Sequence, residues 1–202
     1  IITHKYQNMI VNYSEIFILS LIQGISEFLP VSSSAHLFLV SHLHKFENES
    51  LLIDISCHFG SLIAILFYFR KEFKNIQKQK KIIQLVVIGS IPLFIVGLVL
   101  HQSGQIILFR NLNVIAWTTG IFALLLFFAD KLESRRRIEK DINLKNILII
   151  GFFQILALVP GVSRSGIIIT AGRFLKFNRH ESTKISFYLS IPAIAGASFL
   201  GF

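Results

Sequence analysis

The stretch IFILSLIQGISEFLPVSSSAHLFLVSHLHK, residues 16 to 45, decides how the fold is read. It is apolar toward both ends and broken in the middle by PVSSSAH, Pro30 to His36. The arm from Ile16 to Leu29 has fourteen residues. As a helix rising about 1.5 Å per residue it reaches roughly 21 Å, short of a hydrocarbon core about 30 Å thick. The arm after Ser34 is no longer, so this region predicts a re-entrant helical hairpin. A second apolar region, 146 to 177, is broken in the same way by PGVSRSG, Pro160 to Gly166. It predicts a second hairpin whose tip meets the first near the membrane midplane.

Composition agrees with a bilayer as solvent. Of 202 residues, 53% are hydrophobic and 15% charged, with a mean hydropathy of +0.65; a soluble domain carries about 25% charged residues. Residues 51 to 69, 82 to 100, 112 to 129 and 185 to 202 are long and apolar enough, or nearly so, to cross. The net charge of +9 would suggest nucleic acid in a soluble protein, but the placement of the charges argues against that partner. Sixteen of the twenty Lys and Arg lie in residues 70 to 81, 130 to 145 and 173 to 184, which by the positive-inside rule face the cytoplasm. Residues 41 to 50 and 101 to 111 then lie outside, with Lys45 and Arg110. The single cysteine, Cys57, excludes an internal disulfide and a zinc–cysteine cluster. A signal-peptide reading of the N-terminus is opposed by Glu15 and Glu27, around and within the apolar run.

Threading the spans between these loops sends the first hairpin in from outside and the second in from the cytoplasm. The expected fold is therefore an all-α integral membrane protein: a multi-span helical bundle with two re-entrant hairpins in an inverted-topology repeat. One membrane domain covers 1 to 202, with the first repeat at about 15 to 129 and an incomplete second at about 144 to 202. A faint internal match supports the repeat, since Gln23, Val31, Ser32, Ser34 and Ala35 align with Gln154, Val162, Ser163, Ser165 and Gly166 at an offset of 131. The chain lacks an initiator methionine and stops on Phe202, so a fragment is expected, with about two helices of the second repeat still to follow.

The breaks carry the chemistry. Broken helices meeting at the midplane are where such repeats place substrate and ion sites. Glu27 and Arg164 are the opposite charges expected at depth, and each must find a partner or a wet cavity. Gln23 and Glu27, four apart, stack on one helix face and can offer oxygen ligands to a hard cation. Ser32, Ser33, Ser34 and His36 put hydroxyls beside an imidazole, an arrangement suited to nucleophilic and proton-transfer chemistry. In the second break, Gly161, Ser163, Arg164, Ser165 and Gly166 combine backbone N–H groups open to close approach, hydroxyl donors and a guanidinium that binds phosphate in two-pronged fashion. A structural Glu27–Arg164 salt bridge is the plainer reading, but it leaves the surrounding hydroxyls unexplained.

QGISEFLPVSSSAH (Gln23 to His36) and PGVSRSG resemble the two signature motifs of the bacterial undecaprenyl-diphosphatase, or bacitracin-resistance, family, and Cys57-His58-Phe59-Gly60-Ser61 fits its pattern too. The resemblance implies a multi-pass protein of the bacterial cytoplasmic (inner) membrane that hydrolyses undecaprenyl diphosphate to the monophosphate carrier used in cell-wall synthesis. By motif position it implies Glu27, Ser33, His36 and Arg164 as catalytic residues. It further implies Gln23 and Glu27 as ligands of a divalent cation (Mg2+ or Ca2+), a polyprenyl diphosphate lipid as substrate, and a homodimer as candidate assembly. Ser33 could attack directly, or His36 with Glu27 could activate a water. The competing class is a lipid-phosphate transporter or flippase that uses the same site without cleavage.

Overall fold

The computed structural model describes residues 13–44, 51–74, 76–103 and 111–200. The expected outer loops are in part helical, since residues 41–44 close the helix Ser33–His44 and 101–103 the helix Ile76–Ser103; their Lys45 and Arg110, the N-terminal Lys5 and the last residues of the fourth span lie outside the described residues. Everything regular is helical: α1 Tyr13–Ser26, α2 Ser33–His44, α3 Leu51–Tyr68, α4 Arg70–Phe73, α5 Ile76–Ser103, α6 Leu112–Asp130, α7 Ile138–Asp141, α8 Leu144–Gln154, α9 Arg164–Phe174 and α10 Arg179–Leu200. A 3₁₀ turn, Ile155–Leu158, extends α8. Among the described residues the only β pairing is one isolated bridge, Arg136 with Phe177.

Local chemistry sets the helix starts. Asn111, Asn143 and Ser163 sit in extended backbone and accept from the N–H groups of Val114, Asn146 and Gly166, so each satisfies one of the donors that an α-helix leaves open at its N-terminus. Pro30 and Pro160 sit in the two breaks, where a missing N–H and a fixed φ stop a helix from continuing. Pro92 and Pro192 are instead inside α5 and α10.

Among the described residues two helices are long and apolar enough to cross a membrane, Gln79–Ser103 and Leu112–Asp130. The expected span over 82 to 100 is thus part of a longer helix, because the Lys- and Gln-rich turn before it is made of good helix formers. The apolar part of α3, Ile53–Tyr68, is shorter. α10 begins at Arg179 rather than near 185, and its Ser182, Ser186 and Ser190 are buried, which makes it an interior helix. α6 shows the opposite character: Trp117, Ile121, Leu124, Phe127 and Phe128 are all more than half exposed, an apolar outer face of the kind hydrocarbon solvates.

The contacts also give the helix directions. α5 runs parallel to α8, with Gly89 against Ile147 and Gly151, and Gly97 against Leu158. It runs parallel to α10 as well, with Gly89 near Leu189 and Gly196 against Phe94. α3 is antiparallel to α10. Just past the α3 C-terminus the Phe69 ring lies 5.1 Å from Tyr188, and Glu72 of α4 takes the Tyr188 hydroxyl and lies 3.2 Å from Lys184. At the same end, Asp130 closes α6 against Arg173 at 3.1 Å and Arg179 at 2.6 Å. The Lys/Arg-rich segments around 70, 130 and 180 therefore gather at one end of the bundle.

Two apolar clusters hold it together. Ile147, Ile150, Ile167, Ile168, Phe177 and Leu189 knit α8, α9 and α10. Leu62, Ile65, Phe69, Tyr188 and Ile194, with Phe28 and Phe187 packed against them, join α3 to α10 and to the end of the first hairpin. Arg173, which the sequence places in a basic loop, is buried: besides Asp130 it donates to the carbonyls of Asp130, Leu132 and Phe177. It ties the C-terminal end of α9 to the chain leaving α6.

Candidate active site at the junction of the two hairpins

The second break turns at Pro160–Gly161, and α6 holds that turn. Thr118 donates to the Pro160 carbonyl at 2.7 Å and Thr119 to the Gly161 carbonyl at 3.1 Å. Gly161 has φ +90, and a Cβ there would lie 2.2 Å from Thr118 Oγ1, so both the backbone sign and the space call for glycine. Thr118 is six residues from the start of α6 and twelve from its end. At about 1.5 Å per residue the turn therefore sits roughly 9 Å from one end of α6 and 18 Å from the other.

The first break reaches the same place. Ser165 Oγ donates to the Leu29 carbonyl at 2.6 Å and Ser163 Oγ to the same oxygen at 3.4 Å, while the Pro30 Cβ lies 3.4 Å from where a Cβ on Gly166 would be. The N-termini of α2 and α9 thus face one junction. Their hydroxyls repeat each other at the offset of 131: Ser32 Oγ to Ser34 Oγ is 3.4 Å, and Ser163 Oγ to Ser165 Oγ is 3.0 Å. Ser32 is buried at φ +56, a left-handed conformation uncommon outside glycine.

Glu27 is the hub of the junction. It is 6% exposed. Its Oε1 takes a hydrogen bond from Arg164 Nη2. Its Oε2 accepts from Ser33 Oγ at 2.5 Å and from Gln23 Nε2 at 2.8 Å. The structure thus brings together Gln23, Glu27, Ser33 and Arg164, with Ser163, Ser165 and Gly166 around them. His36 is not joined to this group: it is exposed, and its Nδ1 pairs with the Ser32 carbonyl at 2.8 Å on its own helix. The imidazole at the carboxylate is His58 of α3, with Nε2 3.6 Å from Glu27 Oε2. The sequence signal for it is a histidine inside an apolar helix, within the CHFGS segment already noted for its resemblance.

Two buried atoms in this group have no partner, Gln23 Oε1 and Arg164 Nε. Leaving a buried polar atom unpaired costs about 1–3 kcal/mol. One is an acceptor that a cation would satisfy, the other a donor that an anion would satisfy, so the residues fit the divalent metal that the resemblance implies. Gln154, the offset partner of Gln23, is equally buried, but Leu158 stands four residues on. Only the first hairpin carries the amide–carboxylate pair.

The fold and site define a class: an all-helical, strongly apolar protein whose carboxylate, guanidinium and hydroxyls meet where two broken helices touch. The chain belongs to the family of bacitracin resistance protein BacA, whose model matches residues 16–202. It is 55% identical over 193 residues to an undecaprenyl-diphosphatase of Pelagibacter ubique, covering 95% of this chain and 75% of that protein. It is 49% identical over 194 residues to an undecaprenyl-diphosphatase of Elusimicrobium minutum, covering 91% and 73%. An undecaprenyl-diphosphatase 1 of Pseudoalteromonas translucida is 43% identical over 194 residues, covering 90% and 73%.

Proposed function

We propose that this chain hydrolyses undecaprenyl diphosphate to undecaprenyl phosphate in the bacterial cytoplasmic membrane, recycling the lipid carrier for cell-wall synthesis and conferring bacitracin resistance. The observation that carries the reading is the pair of unpartnered atoms at one junction, Arg164 Nε and Gln23 Oε1, set among the hydroxyls of two helix N-termini. Family membership supplies the substrate class.

Arg164 holds the terminal phosphate. Its planar guanidinium gives paired N–H donors to phosphate oxygens, and the Ser163 and Ser165 hydroxyls and the α9 N-terminus add donors beside it. Ser33 Oγ already donates to Glu27 Oε2, the pairing of nucleophile and base that hydroxyl attack requires. Glu27 takes the Ser33 proton as Oγ bonds to the terminal phosphorus and the bond from that phosphorus to the bridging oxygen breaks, leaving the lipid monophosphate. Water then hydrolyses the phosphoserine. Gln23 and Glu27 would hold the divalent cation, Mg2+ or Ca2+, which when bound would supply positive charge to neutralise the phosphate oxygens.

In this reading the two hairpins are re-entrant and the repeats inverted. The turn at Pro160–Gly161 lies alongside the interior of α6 rather than beyond its end, and the basic segments gather at one end of the bundle, as a cytoplasmic face requires. Cysteines placed at Lys80 and Arg137, with Cys57 replaced by alanine, are expected to resist impermeant thiol reagents in intact cells and to react after permeabilisation. Labelling from outside at either position would reverse the orientation.

The assay for the function itself is phosphate release from a C15 to C55 polyprenyl diphosphate in detergent, with and without EDTA. Release that EDTA abolishes and added cation restores is expected. Tight binding of the lipid without release would replace hydrolysis by transport.

A further inference from the structure

We propose that His58 Nε2 is a third protein ligand of the divalent cation, completing with Gln23 Oε1 and Glu27 Oε2 a mixed nitrogen–oxygen site that takes first-row transition cations such as Mn2+ as well as Mg2+ or Ca2+. The inference rests on the reading of Gln23 and Glu27 as the metal pair, and it begins with the tautomer. His58 Nδ1 lies 2.8 Å from the Asp54 carbonyl. A carbonyl can only accept, so Nδ1 carries the hydrogen, and Nε2 is the ring nitrogen free to bind a metal ion. Nε2 lies 3.6 Å from Glu27 Oε2, so a cation seated between them would be shared by the nitrogen lone pair and the carboxylate. A metal-bound imidazole has this same second contact, its other N–H held by a backbone carbonyl, which fixes the ring and raises its basicity.

The spacings fit. Two donors each about 2.1 Å from one metal ion stand roughly 3.0 Å apart in an octahedron and roughly 3.4 Å apart in a tetrahedron. His58 Nε2 and Glu27 Oε2 are separated by 3.6 Å. The Gln23 amide touches Glu27 Oε2 at 2.8 Å through nitrogen, and a half-turn of that amide, nearly unchanged in shape, brings the orphaned Oε1 to the same distance. A carboxylate oxygen offers two lone pairs, so Oε2 serves the cation with one and the Ser33 hydroxyl with the other. The three donors come from two helices, α1 with the turn that follows it, and α3, which pack against each other. His58 is the one nitrogen in the set, and imidazole favours first-row transition metals over Mg2+ and Ca2+, which prefer all-oxygen sites.

The test uses Mn2+ as the probe on the whole chain purified in detergent. Pulsed EPR of the Mn2+-loaded protein is expected to show 14N modulation from a directly bound imidazole, replaced by the 15N pattern when the protein is grown with 15N-histidine. His58→Gln is expected to remove the modulation and weaken Mn2+ binding by at least about tenfold, in a sample as monodisperse as the parent, while His36→Gln keeps the modulation. Loaded protein without nitrogen modulation, modulation that disappears in His36→Gln instead, or no measurable Mn2+ binding would each overturn the proposal. Phosphate release measured on the same samples separates the two claims. Release that proceeds without nitrogen coordination leaves the phosphatase standing and removes only His58 from its metal.

Discussion

Glu27→Gln is expected to lower the rate of phosphate release by about 10³-fold, and Arg164→Lys by about 10²- to 10³-fold, in protein matched for expression and monodispersity. General-base removal costs about 10²- to 10⁴-fold, and loss of one well-placed donor to a developing charge about 10²- to 10³-fold. Glutamine keeps the shape of Glu27 and can still bond Ser33 and Arg164, but it cannot take the Ser33 proton. Lysine keeps the charge of Arg164 and loses the planar fork, including the Nε donor that has no partner in the folded protein. A merely structural ion pair between Glu27 and Arg164 would respond differently, since breaking a buried pair destabilises by about 3–5 kcal/mol without a specific effect on turnover. Initial rates and thermal unfolding measured on the same samples distinguish the two. Near wild-type rates for both variants would remove these residues from the chemistry.

The second large effect is expected at Gly161. Gly161→Ala places a Cβ 2.2 Å from Thr118 Oγ1 and 2.8 Å from the Ile115 carbonyl on a backbone at φ +90. The conformation alone costs about 1–3 kcal/mol for a residue other than glycine, and the clash with α6 adds to it. Thermal unfolding in detergent should show a loss of several degrees or failure to purify folded protein. Because the turn carries Arg164 three residues on, any folded fraction should also show weakened binding of inorganic phosphate. An alanine variant as stable as the parent would mean that the turn is not held against α6.

Much of this is legible in the sequence, for a physical reason. A cluster such as PVSSSAH or PGVSRSG inside an apolar run cannot face lipid, so each must end a helix and find polar company; that reasoning pairs Glu27 with Arg164 although they are 137 positions apart. The Gln23–Glu27 stack follows from helical spacing. His58 does not follow. Its place beside Glu27 depends on how α3 packs against α1, a tertiary contact with no local signature, and the imidazole nearest in sequence, His36, takes the expectation instead. Nine positions and a helix break separate His36 from Glu27, so helical phase is lost between them, and the α2 backbone turns the ring outward. Arg173 is misplaced for a similar reason: a basic residue just after an apolar run reads as loop, whereas Asp130 and three carbonyls at the end of the bundle give it a buried seat.

The bond between the two hairpins also has a consequence in time. Synthesis proceeds at about 5–20 residues per second, so the 137 positions between Glu27 and Arg164 take roughly 7 to 27 seconds to emerge. On the re-entrant reading proposed above, the first hairpin enters the bilayer through that interval with its carboxylate lacking the guanidinium that later neutralises it. A membrane-inserted acid of this kind persists by staying protonated, by borrowing water or by remaining close to the insertion machinery. Ribosome pausing between the two breaks would lengthen that exposure, so the speed of translation through residues 28 to 163 bears on how much chain reaches the finished bundle.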